Sequence, residues 1–342
     1  MISITNQQLI YPVALILSTT RKTCEAMASL AGKSGDTFCR LLKEKSVTPH
    51  DLVNIAKNIL IGRSYYLILD DTIIEKTYAK WIEGACDNYD TSNGQIVRSL
   101  CSVVAMISDG KRAIPIDQDL WISHDLVQNR YKTKVQIALE LISRVKKLVC
   151  IKMVIADGLY ATEEMISNLI KEKFYFEMRF HANRVVEYNG EKIGIKQIKD
   201  LELKGKKFAR TKRVKWKNID FYVTSVKRTT KTGRNIVVYQ ASNFKAFAKK
   251  HVQIYGFRWN IEKFFRTGKQ YLGLTHCQLR SKNAQENHIF NVFFAYALLQ
   301  FETKKFGLKN PESAAKQLKR RKYPFLISYF MRSTRIFKGF YA

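Results

Sequence analysis

The sequence is short of acid. Against 59 lysines and arginines it sets 29 aspartates and glutamates, leaving a formal net charge of +30 over 342 residues. The excess runs along the chain rather than collecting in one tail. An imbalance of this size exceeds what solubility requires and points to a polyanionic partner. The chain also lacks a C-x-x-C pair. Its six cysteines (Cys24, Cys39, Cys86, Cys101, Cys150 and Cys277) are scattered, which suits reduced thiols better than a disulfide framework or a zinc site. No apolar run reaches the ~18 residues of a membrane-spanning helix. The longest early candidate, LIYPVALIL at 9–17, has no basic segment before it and no small-residue cleavage site, so it reads as a buried segment. No membrane partner is expected, and the expected compartment is the cytoplasm. Internal repeats and low-complexity segments are absent too, which excludes solenoids and long disordered tracts.

What is present is a chain that can fold: 46% of its residues are hydrophobic and 12% aromatic, at a length that accommodates two or three structural units. Residues 19–61 read as three short helices. The first ends at Gly32, and the third opens with Thr48 as N-cap and Pro49 in the first turn. Two short helices around a glycine turn, with Arg40, Lys43 and Lys45 on the second, are similar to a helix-turn-helix. SYYLILDDT then reads as a buried strand that stops at two aspartates. Two strands follow, joined through Asp109-Gly110, and after them a helix, the strand IKMVIADGLY, another helix and the strand YFEMRF. This order predicts a mixed sheet with helices on its faces, an α/β fold. From 182 to 243 the pattern alternates and is dense in lysine and arginine, predicting a β-rich insertion. A helix over YGFRWNIEKFFRTGK (255–269) and a second, strongly apolar one come next.

Three acidic positions stand out: Asp71 with Asp70 beside it, Asp157, and Glu262. The first two end apolar strands, and the third lies on a helix that could cross the sheet edge. Carboxylates that converge without matching bases repel one another, so such a cluster persists where a cation neutralises it. Oxygen-only ligands favour Mg²⁺ or Mn²⁺ over zinc. On a single helix, turning 100° per residue puts Arg258, Glu262 and Lys269 in one stripe of roughly 60° beside Tyr255. Taken alone, that stripe could equally be a solvated face with an i, i+4 ion pair.

The spacing Tyr-x2-Arg-x3-Glu-x6-Lys over residues 255–269 resembles the YREK signature of the IS4-type DDE transposases, and LILDDT and VIADGLY resemble that family's two aspartate motifs in the right order. The resemblance covers roughly residues 60–300. It implies an RNase H-like catalytic core that cuts the ends of an insertion sequence and joins the freed 3′-OH ends to target DNA. It implies Mg²⁺, with Mn²⁺ able to substitute, as two ions held by Asp71, Asp157 and Glu262. Asp70 is the alternative first ligand, Asp71 being favoured because it directly precedes Thr72. Tyr255, Arg258 and Lys269, with Arg266 nearby, would contact DNA, and Trp216 of the insertion is a candidate to stack on a base, although packing between strands is the favoured role for it. The implied partners are double-stranded DNA (element terminal inverted repeats and target) and a second copy of the chain. The implied location is the prokaryotic cytosol or nucleoid. The corresponding division is a helical DNA-binding unit at 1–62, a first part of the core at 63–181, the insertion at 182–243, a second part of the core at 244–302 and a basic segment at 303–342.

Two other functions compete. A transposase-derived protein that binds DNA without cutting is disfavoured by acids at all three positions. A carboxylate-pair glycosidase has no use for the charge. His276 and Cys277 lack ligand partners at metal spacing and read as structural, His124 reads as a loop residue and not a base, and the Phe-rich helix IFNVFFAYALLQF reads as core.

Overall fold

The computed structural model describes residues 6–336 apart from 45, 46, 78, 91–93, 128, 129, 206 and 231. The chain opens with four helices: α1 (Asn6–Leu17), α2 (Cys24–Ala31), α3 (Gly35–Lys43) and α4 (Pro49–Ile59). Their ends follow local chemistry. Thr23 and Ser34 accept hydrogen bonds from first-turn amides, Gly32 takes the left-handed conformation after α2, and Thr48 forms a reciprocal capping box with Asp51.

The sheet begins with β1 (Ser64–Glu75), β2 (Cys86–Asp90), β3 (Gln95–Ser108) and β4 (Ala113–Trp121). Next come α5 (His124–Val127), α6 (Lys134–Val145), β5 (Cys150–Ala156), α7 (Glu163–Lys171) and β6 (Phe176–Phe180). β3 pairs antiparallel with β1, β2 and β4, whereas β5 is parallel to β1 and to β6. The order β4-β3-β1-β5-β6 is that of an RNase H-like sheet. Strands β7 (Val185–Tyr188), β8 (Glu191–Gly194), β9 (Ala209–Trp216), β10 (Ile219–Thr229) and β11 (Asn235–Ser242) form the basic region. β11 pairs antiparallel with β6, so the insertion extends the catalytic sheet to eleven strands instead of forming a separate layer.

The remaining helices are α8 (Ala248–Gly256), α9 (Trp259–Tyr271), α10 (Lys282–Lys305), α11 (Pro311–Leu318) and α12 (Tyr323–Ile336). α10 is buried on nearly every side from Ala284 to Thr303. It lies against β4, α1, α3, α4 and α11. Two of its buried polar residues tie it to its neighbours: Asn287 Nδ2 donates to the Leu42 carbonyl at 2.8 Å, and His288 stands between the Tyr11 hydroxyl and the Gly273 carbonyl, each at 2.9 Å. Burial pushes the His288 imidazole down to about 3, so it is neutral, donating from Nε2 and accepting at Nδ1. The N-terminal helices therefore share one apolar core with the sheet and α10. They are not a unit set apart from it.

Three details differ from the sequence reading. β1 does not stop at the aspartates: Thr72 to Glu75 continue to pair with Ser99 to Ser102 of β3. Only its other neighbour ends there, since the β1–β5 ladder closes at Leu69 opposite Ala156. The 255–269 helix is also two helices. Between α8 and α9, Phe257 and Arg258 donate to carbonyls three residues back, a tightened turn that shifts the helical phase. The apolar pattern runs through unbroken because Phe257 still packs on Tyr66, with ring centroids 4.9 Å apart. Finally, β2 pairs with the first half of β3 although its residues, CDNYD, carry little strand signal.

Candidate active site

β1 and β5 run in parallel register to Leu69 and Ala156, so the next residues, Asp70 within β1 and Asp157 just past the end of β5, stand side by side. Asp157 heads a 3-10 turn over Gly158–Tyr160. Glycine follows it where space is tight: a Cβ at 158 would stand 3.0 Å from His181 Nε2, and the imidazole would have to give way.

Successive residues of a strand face opposite sides, and this separates the two aspartates of β1. Asp70 Oδ2 accepts from Arg258 Nη1 at 2.6 Å. The same guanidinium donates to Glu262 on α9 through Nη2. Tyr255 of α8 donates its hydroxyl to Asp157 Oδ1 at 3.1 Å. Three acids from three distant segments thus meet around one arginine and one phenol. Asp71 lies outside this group. Its carboxylate faces the other side, bonded to Lys134 of α6 at 2.7 Å and to the Tyr160 hydroxyl at 3.1 Å. The favoured first acid of the sequence reading was Asp71; the cluster contains Asp70 instead.

The electrostatics match a crowded carboxylate site. Burial pushes the Asp70 carboxyl up to about 7; Arg258 opposes this, and the neighbouring Asp71 and Asp157 charges add to it. Glu262 is raised by burial and by Asp157, against Arg258 and Arg228. Burial and Asp157 also hold the Tyr255 phenol above its usual value. The donor set fits a hard divalent cation: three carboxylates, half-buried and mutually repelling, without sulfur or imidazole. Arg258 lies between two of the three. Among the described residues no three His, Cys, Asp or Glu side chains are grouped tightly enough to hold an ion as they stand.

A family model for the transposase DDE domain matches residues 63–298. The chain belongs to the DDE transposase family. A search of curated proteins finds no match. The matched span of the transposase runs from the start of β1 into α10, and so contains all three acids of the cluster together with Tyr255 and Arg258.

The other residues expected to act spread further from the cluster. Arg266, one turn beyond Glu262, is mostly exposed and reaches Glu312 at 4.0 Å. Lys269 is half-buried and its ammonium is held below the usual lysine value by burial, with Asp90 and Glu75 as the opposing charges. Trp216 takes the packing role of the two open to it, and not the base-stacking one. It is 6% exposed and packs edge-on against Phe180 and Phe221, with the Arg184 guanidinium 4.9 Å from its ring. A ring so enclosed braces the insertion against β6 and cannot stack on a base. Trp216→Ala should therefore cost about 3–5 kcal/mol of stability, measured by urea unfolding, and leave the salt dependence of DNA binding unchanged.

Several neighbours escaped the sequence reading. Arg228 of β10 places its guanidinium 5.8 Å from the Tyr255 ring and acts on Glu262. Arg179 of β6 acts on Tyr255. Trp259, 56% exposed, opens α9 directly after Arg258 and presents the kind of flat ring on which bases stack. The insertion's charge density hinted at Arg228; nothing in the order of residues tied it to Glu262.

Proposed function

We propose that this transposase is of the IS4 type, cutting the ends of an insertion sequence and joining the freed 3′-OH ends to target DNA. The observation that carries the reading is the meeting of Asp70, Asp157 and Glu262 with Arg258 and Tyr255. These five residues come from β1, the end of β5 and the α8–α9 turn region. Asp70, Asp157 and Glu262 would hold Mg²⁺, with Mn²⁺ as a substitute. When bound, such ions activate the attacking oxygen and stabilise the leaving oxygen of a phosphodiester.

The chain's own groups do the rest. Arg258 is a planar two-pronged donor that can exchange its carboxylates for phosphate oxygens of the DNA end. Tyr255 fixes the Asp157 carboxylate through its hydroxyl. Arg228 and Arg179 add positive charge on the side of the insertion, and Lys269 and Arg266 continue the basic line along α9. The net charge of +30 supplies the long-range attraction for DNA. Synapsis of two ends calls for two copies of the chain.

The test is strand cleavage of a labelled duplex carrying the terminal repeat that flanks the reading frame. Wild type should nick it in Mg²⁺ or Mn²⁺. Asp157→Ala should bind the same duplex normally and leave it uncut. Binding without nicking by the wild type would instead make this a DNA-binding relative that does not cut.

A further inference from the structure

The face of β1 turned away from the cluster carries a second polar group that the proposed chemistry does not use. The Asp71 carboxylate is held at both oxygens. Oδ1 accepts from the Tyr160 hydroxyl at 3.1 Å, and Oδ2 accepts from Lys134 Nζ at 2.7 Å and from the Cys101 thiol at 3.6 Å. Tyr160 and Cys101 are fully buried. Lys134 is the first residue of α6, behind the Thr133 cap, and its ammonium lies 5.5 Å from the Trp121 ring.

Both ends of this group lead into the acid cluster through the backbone. The Asp71 amide donates to Asp70 Oδ1 at 3.1 Å. The Tyr160 amide donates to the Asp157 carbonyl at 3.1 Å, closing the turn that Asp157 heads. Tyr160 thus joins the backbone that presents Asp157 to the side chain whose backbone presents Asp70. β1 and β5 have no ladder bonds beyond Leu69 and Ala156, so the two acids emerge where the strands are no longer pinned to each other. The Tyr160–Asp71 bond spans that gap from the opposite face.

We propose that Asp71, Tyr160 and Lys134 are positioning residues: a buried brace that fixes the separation of Asp70 and Asp157. This rests on the reading of Asp70, Asp157 and Glu262 as the carboxylates that hold the divalent ion. Asp71 then serves the site through its side chain's partners, without touching ion or DNA. Groups that orient metal-binding carboxylates typically matter 10–100-fold for metal affinity or activity, which sets the scale expected here.

The experiment measures Mn²⁺ affinity of the full chain without DNA, by electron paramagnetic resonance, beside the rate of nicking at saturating DNA. Tyr160→Phe keeps the ring that fills the core and removes only the hydroxyl. It should weaken Mn²⁺ binding roughly tenfold and lower kcat while KM for DNA stays near wild type. Lys134→Gln, at a half-exposed site, supplies a second variant that does not disturb the core. It should show the same pattern more weakly, and Lys134→Arg should restore it. Combined with Asp71→Asn, Tyr160→Phe should add little, because both break one contact.

If Tyr160→Phe and Lys134→Gln only lower the melting temperature, with Mn²⁺ affinity and kcat unchanged, the brace is structural packing and the proposal fails. If Asp71→Asn removes Mn²⁺ binding as completely as Asp70→Asn, Asp71 is itself a ligand and the proposal also fails. Equal Mn²⁺ affinity in wild type and Asp70→Asn would overturn the metal reading and the brace together.

Discussion

Asp70→Asn is expected to abolish cutting and to stabilise the protein. Cleavage should fall roughly a thousandfold or more, the scale on which loss of a group that stabilises developing charge is felt. DNA binding should be retained, because the DNA contacts come from the cations around the acid. The gain in stability follows from the acid's setting. Its pKa rises from 3.8 to about 7 on folding, so between these values the folded chain keeps a proton that the unfolded chain releases. Stability therefore declines as pH climbs from about 4 to about 7 and stays reduced above. At 1.36 kcal/mol per pH unit the three-unit shift caps this at about 4 kcal/mol. That shift is already net of the attraction of Arg258, so the figure is the upper bound on the gain at pH 8. Urea unfolding in EDTA should show the variant more stable at pH 8 and equal to wild type at pH 4. A variant that is no more stable at pH 8 would mean that neither burial nor the neighbouring acids penalise the Asp70 charge in the folded chain.

Arg258→Ala should act on both faces of the site at once. Its side chain is 18% exposed and is the cation shared by Asp70 and Glu262. Removing one partner of a largely buried charge group is costly because the carboxylates stay behind. Metal-free stability at pH 8 should drop by about 1–3 kcal/mol, less than for a fully buried pair. Cleavage should fall by roughly a hundredfold, since the proposed phosphate contact goes with it. The slope of log K against log salt should lose about 0.9 in magnitude if one phosphate contact disappears. Arg258→Lys keeps the charge and loses the fork, so it should recover stability more fully than cleavage. An unchanged salt slope and normal cutting in Arg258→Ala would leave Arg258 as a counter-ion to the acids and nothing more.

Much of this site can be read from residue order, and the failures have physical causes. The strand LILDDT, the turn residues after VIA and the glutamate helix were recognisable because each is a local pattern of apolar residues broken by an acid. Alternation also says that Asp70 and Asp71 face opposite ways. It cannot say which face receives α9 and which receives α6, because that choice is made by chain crossings far away in sequence. The same limit hid Lys134 and Tyr160, whose partner Asp71 lies 63 and 89 residues off, and Arg228, which meets Tyr255 and Glu262 from a separate strand. The turn at Phe257 stayed invisible because the residue remains apolar and packed whether the helix is continuous or tightened. Trp216 left two roles open in the sequence, stacking or packing, and only the approach of Phe180 and Phe221 from other strands selects packing.

The depth of α10 has a consequence for how the protein is made. Tyr11 finds its partner His288 at a separation of 277 residues. At a ribosomal pace of about 5–20 residues per second, roughly a quarter of a minute to a minute separates the synthesis of the two. Through that interval the apolar surfaces of α1 and β4 wait for the helix that covers them, and folding limited by such distant pairings is slow. Glu262 also arrives after the basic strands of the insertion. A ribosome-bound chain therefore owns its positive charge before it owns the third acid. Translation works as a timer, and a chain released early carries an incomplete blade.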